Sequence, residues 1–281
     1  MFQAPAQGGD ALLHFATASL QVGISLPDFD DLIAEAESHP MRGWDFTWLG
    51  ERLTATTLPW DYRGMVQRLA RESSDLLDLG TGGGEWLARL DQRPERTVAT
   101  EGWPPNLAIA RTRLGPLGVE VFAYEGPSDN VKQTGAEPPL LFPDGSFHLV
   151  ADRHESFLAV EVARVLAKGG RFITQQVGDG RELAALMGVA PAQPPRPSWE
   201  LALACAQVEA AALRVTAGGE VNQLETIADV GALVWYLKAV PWELPGFAPE
   251  SFRERLLELH ELCQRAPLRF ERRAFWLLAE A

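Results

Sequence analysis

The stretch LLDLGTGGGEWL, residues 76–87, decides the fold. Leu76, Leu77 and Leu79 form a short apolar run suited to a strand covered on both faces of a parallel sheet. Gly80, Gly82, Gly83 and Gly84 follow at once, and Glu85, Trp86 and Leu87 open a helix. A strand that passes through a glycine turn into a helix aims backbone N–H groups into the crevice beyond the sheet. Its missing Cβ atoms let a ligand approach the main chain. The stretch reads as the binding loop of a nucleotide-type cofactor.

Toward the C-terminus, short apolar runs alternate with helical segments, the pattern of βαβ units around a parallel sheet. Strands are expected at 97–100 (TVAT, ending at Glu101), 119–123, 147–151 (FHLVA) and 171–177 (RFITQQV). Helices are expected at 106–114 and 157–168, the second ended by Gly169-Gly170. Residues 125–139 are turn-rich and read as loop. A proline-rich break at 191–197 precedes a helix at 198–213 and a strand region at 214–227. A helix at 230–240 is capped by Asp229 and stopped by Pro241, and a helix at 250–265 leads to a final strand at 269–278. Toward the N-terminus, residues 1–70 read as a helical cap with helices at 29–38 and 59–71, Pro59 starting the second. Trp44, Phe46, Trp48, Trp60 and Tyr62 are too dense there for casual surface; they staple the cap to the core or line a substrate cleft.

The residues around the loop narrow the cofactor. A dinucleotide fingerprint starting at Gly80 needs a small residue where Glu85 stands, and no Gly-Lys-Ser/Thr follows as a phosphate loop requires. Asp78 places a carboxylate where a pyrophosphate would be unwelcome. A ligand with a cationic end and no phosphate suits it better, and S-adenosylmethionine carries an ammonium and a sulfonium. Residues 78–84, Glu101, the block LLFPDGSFHLV (140–150) and the block ARVLAKGGRFIT (163–174) together resemble the class I S-adenosylmethionine-dependent methyltransferases. The likeness covers residues 75–178, with its four blocks in order and at the right spacing. The flanking phrases GWDF, PWDY, DRHESF, TQQVG and WYLKAVPWELP resemble a bacterial branch whose acceptor they do not identify.

The resemblance implies a doubly wound, Rossmann-like, seven-stranded and mostly parallel sheet with the last strand antiparallel, plus the N-terminal helical cap. It implies a methyltransferase domain over 71–281, of which 179–265 partly forms a lid or substrate region, joined to the cap at 1–70. It also implies site roles. Asp78, Gly80, Thr81 and Gly82 flank the methionine moiety. Glu101 accepts from both ribose hydroxyls, since two carboxylate oxygens match two vicinal donors. Gly102 and Trp103 follow it, and Trp103 lies against adenine or packs as an ordinary tryptophan. An acid that meets the adenine amino group in this family has three competing counterparts here: Glu125, Asp129 and Asn130.

Methyl transfer from a sulfonium is an in-line displacement, so holding the partners in line matters more than bond-making by side chains. A base is needed only for an acceptor that must lose a proton. The segment Asp152-Arg153-His154-Glu155-Ser156 follows the fourth strand and faces the acceptor side of such a crevice. His154 is the candidate general base or substrate ligand, with Glu155 orienting it or holding a polar acceptor; the competing reading is helix capping and ion pairing. Gln175 and Gln176 end the fifth strand, and adjacent strand residues point to opposite faces, so one of them at most reaches the cleft.

The 281 residues carry a formal charge of −13 with no lysine/arginine run, which disfavours a nucleic-acid substrate. The two cysteines, Cys205 and Cys263, have no metal-ligand spacing, nor do His14, His39, His148 and His260, so no metal is called for. No signal peptide and no stretch of the roughly 20 apolar residues that spans a bilayer is seen, so a cytoplasmic protein without membrane contact is expected. The expected function is methyl transfer from S-adenosylmethionine to a small molecule. An RNA or protein methyltransferase, a non-catalytic cofactor-binding protein and a nicotinamide oxidoreductase are the competing readings. Oligomeric state is not legible.

Overall fold

The computed structural model describes residues 28–41, 44–133, 136–178, 181–190 and 197–281. The cap before residue 28 and most of the proline-rich break lie outside the described residues. The strands are β1 (Leu53–Ala55), β2 (Asp75–Leu79), β3 (Arg96–Glu101), β4 (Glu120–Ala123), β5 (Phe147–Arg153), β6 (Leu166–Val177), β7 (Arg214–Ile227) and β8 (Leu268–Glu280). They form one sheet in the order β1-β7-β8-β6-β5-β2-β3-β4. β4, β3, β2, β5 and β6 run parallel, and β8 enters antiparallel between β6 and β7. This is the expected doubly wound, mostly parallel sheet, with one addition. β1 pairs antiparallel with β7 at the edge, Thr54 facing Thr226. Three residues are too few to show a strand period in sequence.

Helices cover both faces, because every residue of β2 is buried and needs packing from two sides. On one face α2 (Tyr62–Arg71), α3 (Glu85–Ala88) and α4 (Pro104–Leu114) bring Val66, Leu87 and Leu114 against Leu76, Leu149 and Ile173. On the other, α5 (Ala159–Val165) and α7 (Leu201–Ala210) bring Val162 and Val208 against Leu77, Val150 and Phe172. Phe147, Phe157, Phe172 and Phe275 are fully buried, each contributing roughly 1.5–3 kcal/mol of apolar burial. Asp61 caps α2 by accepting from the Gly64 N–H at 3.0 Å.

A third core lies beyond the sheet. There α1 (Phe29–Ser38) packs on α8 (Val230–Ala239), with α6 (Arg181–Leu186) and α9 (Arg253–Cys263) beside them. Arg52 fastens this unit by donating to both carboxylate oxygens of Asp229, at 2.8 and 2.6 Å. Asp229 also caps α8 through the Ala232 N–H. Burial alone would raise Asp229, but the Arg52 and Ala232 hydrogen bonds hold it below the usual carboxylate range. The cap is therefore built jointly from the N-terminal segment and the region after β7. Among the described residues no helix is long and apolar enough to cross a membrane.

Several boundaries differ from expectation: α2 starts at Tyr62 behind its cap Asp61 and not at Pro59, α7 is shorter than 198–213, and α6 was not foreseen. The helix expected at 157–168 ends at Val165, and Gly169-Gly170 do not cap it; they lie within β6. Leu166 pairs with Phe147 across a register irregularity, and Gly169 N–H donates to Ala281 O while Ala281 N–H donates to Gly170 O. A glycine pair serves a strand irregularity as well as it serves a helix end, and cross-strand bonding selects the former.

Candidate functional site

β2 delivers the glycine turn to the C-terminal edge of the sheet, the position at which this type of fold binds ligands. Gly80 and Gly82 have φ of +60° and +61°, where a side chain would be strained. A Cβ at Gly80 would lie 2.5 Å from Cβ and Cγ of Glu155, and one at Gly82 would lie 2.9 Å from Cδ1 of Trp44. Both glycines are thus demanded by the backbone and by close neighbours. Thr81 N–H donates to Thr100 O at 2.8 Å, tying the turn to β3.

Three carboxylates surround this turn. Asp78, 2% exposed, is pushed up to about 7 by burial, with Glu101 adding repulsion and Arg153 opposing it. Glu101, 5% exposed, ends β3 and is raised by burial, partly offset by backbone N–H donors that include Trp103 at 2.8 Å. Glu155 is raised to about 7 by burial and then by Glu101. Desolvated carboxylates at one turn resist ionising together. A positive charge brought among them is favoured, and a pyrophosphate is opposed.

The segment after β5 is held by two glutamines, each anchored by an indole. Trp199 Nε1–H donates to Gln176 Oε1 at 3.3 Å, leaving the Gln176 amide nitrogen to donate to Asp152 Oδ1 at 3.1 Å and Glu155 O at 2.9 Å. Trp60 Nε1–H donates to Gln175 Oε1 at 2.9 Å, and the Gln175 amide nitrogen lies 3.0 Å from His154 Nε2. The two adjacent side chains serve opposite sides of the strand, and Gln175 is the one that meets His154. His154 has φ +68°, an uncommon conformation for a side-chain-bearing residue, and its N–H donates to Gln175 O at 2.8 Å. Its ring is bonded to Gln175 and not to Glu155, which turns toward Gly80, so Glu155 does not orient it. Desolvation by the protein packed around the ring, together with the cations Arg153 and Arg272, pushes the His154 pKa down.

Arg272 belongs to a buried network the sequence did not announce. It pairs with Glu225 at 3.0 Å and with Glu243, and donates to Tyr236 Oη at 2.8 Å. With two carboxylate partners its charge is committed.

The aromatic cluster of the cap divides by position. Trp48 stacks on His39 at 4.7 Å, Phe46 packs edge-on to Trp235, and Tyr62 Oη donates to Asp152 O at 2.6 Å; these are staples. Trp44 lies against the glycine turn, 5.5 Å from Trp242 and 6.5 Å from Trp103 between ring centroids, and all three are partly exposed. A pocket beside Gly80 is lined by Thr100, Tyr124, Gly126, Pro127, Leu140 and Ser156 among others. Glu125 sits next to Gly102, its Cα 3.0 Å from where a Gly102 Cβ would stand. Asn130 Oδ1 is used by the Phe157 N–H, and Asp129 Oδ1 by the N–H of Val131 and Lys132. Of the three acids and amides considered for adenine, Glu125 is the one beside the Glu101 end of β3. The sequence marked Trp44 and Trp60 only as members of a dense aromatic cluster and gave no signal for Arg272, whose partners Glu225, Tyr236 and Glu243 are distant in the chain.

Residues 77–174 match the family model described as "Methyltransferase domain". A search of curated proteins finds no match. Among solved structures, a methyltransferase-like protein of Bacillus halodurans C-125 is 16% identical with a TM-score of 0.52, covering 78% of this chain and 98% of its own. The YcgJ protein of Bacillus subtilis is 18% identical with a TM-score of 0.51, covering 78% and 97%. A protein of unknown function from Deinococcus radiodurans R1 is 16% identical with a TM-score of 0.51, covering 83% and 95%. At these identities the structures show a shared fold. The matched segment runs from β2 through most of β6 and holds the glycine turn, Glu101, His154 and Glu155. Through that segment the chain is similar to a methyltransferase domain.

Proposed function

We propose that the protein transfers a methyl group from S-adenosylmethionine to a small, partly apolar acceptor. The observation that carries the reading is the crowding of Asp78, Glu101 and Glu155 at a glycine turn, a donor set that fits a cationic, phosphate-free adenosyl ligand. When bound, that cofactor supplies a methyl group activated on a sulfonium. Gly80, Thr81 and Gly82 give it room at the backbone, and Asp78 meets its cationic end. Glu101 accepts from the ribose hydroxyls, and Gly102 and Trp103 offer backbone and an indole face to adenine. Glu155 faces the reacting end, and His154 meets the acceptor. The unit built from 28–60 and the region after β7 acts as a lid that excludes water while donor and acceptor are held in line.

Trp44, Trp103 and Trp242 favour an acceptor with an apolar face. The net charge of −13 disfavours RNA. The test is release of S-adenosylhomocysteine across panels of small metabolites, RNA and peptides. Turnover on small molecules supports the reading. Turnover on RNA or peptide alone, or tight cofactor binding with no turnover on any panel, replaces it.

A further inference from the structure

The chain of polar contacts from Trp60 through Gln175 to His154 lies outside the cofactor site and has an internal logic of its own. An indole N–H can only donate, so the atom it meets at 2.9 Å must be the carbonyl oxygen of Gln175. The amide nitrogen of Gln175 then faces His154 Nε2 at 3.0 Å. An amide NH2 can only donate, so Nε2 must offer its lone pair. A neutral imidazole carries one proton, and that proton is then on Nδ1. The imidazolium is disfavoured by the same contact, since it would set an Nε2–H against an amide N–H.

The elements hold this arrangement rigidly. Gln175 is 5% exposed within β6, one register step from β5, where it pairs with Arg153. Trp60 immediately precedes Asp61, the cap of α2, and the His154 backbone is fixed on Gln175 O. The charged groups that act on the ring are Arg153 and Arg272, both cations that oppose a further proton. His154 Nδ1 has no hydrogen-bond partner among the described residues, and the residue reaches solvent at the C-terminal end of β5.

We propose that Trp60 and Gln175 are positioning residues that lock His154 as its neutral Nδ1–H tautomer, so that it meets the methyl acceptor as a hydrogen-bond donor and not as a base. The use made of that donor rests on the methyltransferase reading; the tautomer does not. The acceptor class implied is one that carries an oxygen or nitrogen lone pair beside the atom to be methylated. Its nucleophile is then either free of a proton already or gives it to a group other than His154.

The experiment is 15N–1H NMR of the imidazole rings in uniformly labelled, full-length protein at pH 7, with the His154 signals assigned by their loss in His154→Asn. The expected pattern is a protonated, pyrrole-type Nδ1 and a bare, pyridine-type Nε2. In Gln175→Glu the new carboxylate accepts from Trp60 and from the ring together, so Nε2 gains a proton. In Trp60→Phe the amide is free to turn over, and the Nε2 signal moves toward a mixture of tautomers. An Nε2–H tautomer or an imidazolium in the unsubstituted protein overturns the lock, as does an unchanged pattern in both variants. On any acceptor that yields S-adenosylhomocysteine, a pH–rate limb that disappears in His154→Asn would overturn the donor role. The NMR readout needs neither cofactor nor acceptor, so a failure of the tautomer lock and a failure of the methyltransferase reading give different results.

Discussion

Replacing Glu155 by Gln removes one charge from the crowd at the glycine turn while keeping the shape of the side chain. Burial and then Glu101 push this carboxyl from its ordinary value of 4.5 to about 7. A carboxyl whose folded pKa lies above its unfolded one costs nothing while both states are protonated. Stability is then lost as pH rises from the unfolded value toward 7, and the loss is constant above that. At roughly 1.4 kcal/mol per pH unit the full penalty is about 3 kcal/mol. Asp78, also raised to about 7, shares part of the repulsion that Glu101 creates, so the recoverable part is nearer roughly 2 kcal/mol. Glu155→Gln should therefore raise the Tm of the cofactor-free protein at pH 8 by roughly 4–8 °C. At pH 5, only about half a unit above the unfolded value, the change should shrink to about a quarter of that at pH 8. Circular dichroism melts at pH 5, 6, 7 and 8 read this directly. An equal change at pH 5 and pH 8, or a lower Tm at pH 8, would refute the picture of desolvated, mutually repelling carboxylates.

Further outcomes follow from other contacts. Arg52→Ala strips Asp229 of a two-point partner at the start of α8, and should cost roughly 2–4 kcal/mol in denaturant unfolding. Glu101→Ala should weaken S-adenosylhomocysteine by a hundredfold or more in calorimetry, since two hydrogen bonds to a charged acceptor are worth about 3 kcal/mol or more together. Trp103→Ala should weaken the same ligand by roughly 5- to 100-fold if its face carries about 1–3 kcal/mol of base stacking, with Tm nearly unchanged because the side chain is 44% exposed. Gly80→Ala should lower both stability and cofactor affinity, because its Cβ meets Glu155 at a backbone φ of +60°; a variant as stable as the parent would remove the tight-turn argument.

The legible part of the sequence was the part governed by local pattern. The apolar run Leu76–Leu79 is wholly buried in β2, and Glu101 stands at the end of β3. The bounds of α1 were readable because Asp28 caps it, and a strand was expected over 214–227, where β7 lies. What was not legible depends on residues distant in the chain. Trp60 is 115 positions from Gln175, and Arg52 is 177 from Asp229. Trp44 reaches Gly82 only after the cap folds back, and Arg272 reads as an ordinary outward strand residue until Glu225, Tyr236 and Glu243 close around it. Gly169-Gly170 carried a true signal, a break in regular structure, but pairing with the neighbouring strand and with the Ala281 backbone decided which kind.

The central claim is that the carboxylate-lined glycine turn holds S-adenosylmethionine. Isothermal titration calorimetry of the full-length protein with S-adenosylmethionine, S-adenosylhomocysteine and NAD tests it most directly. The account predicts saturable binding of both adenosyl ligands, with the cationic S-adenosylmethionine losing more affinity than S-adenosylhomocysteine in Glu155→Gln, and no binding of NAD. Binding of NAD with neither adenosyl ligand taken up would contradict it.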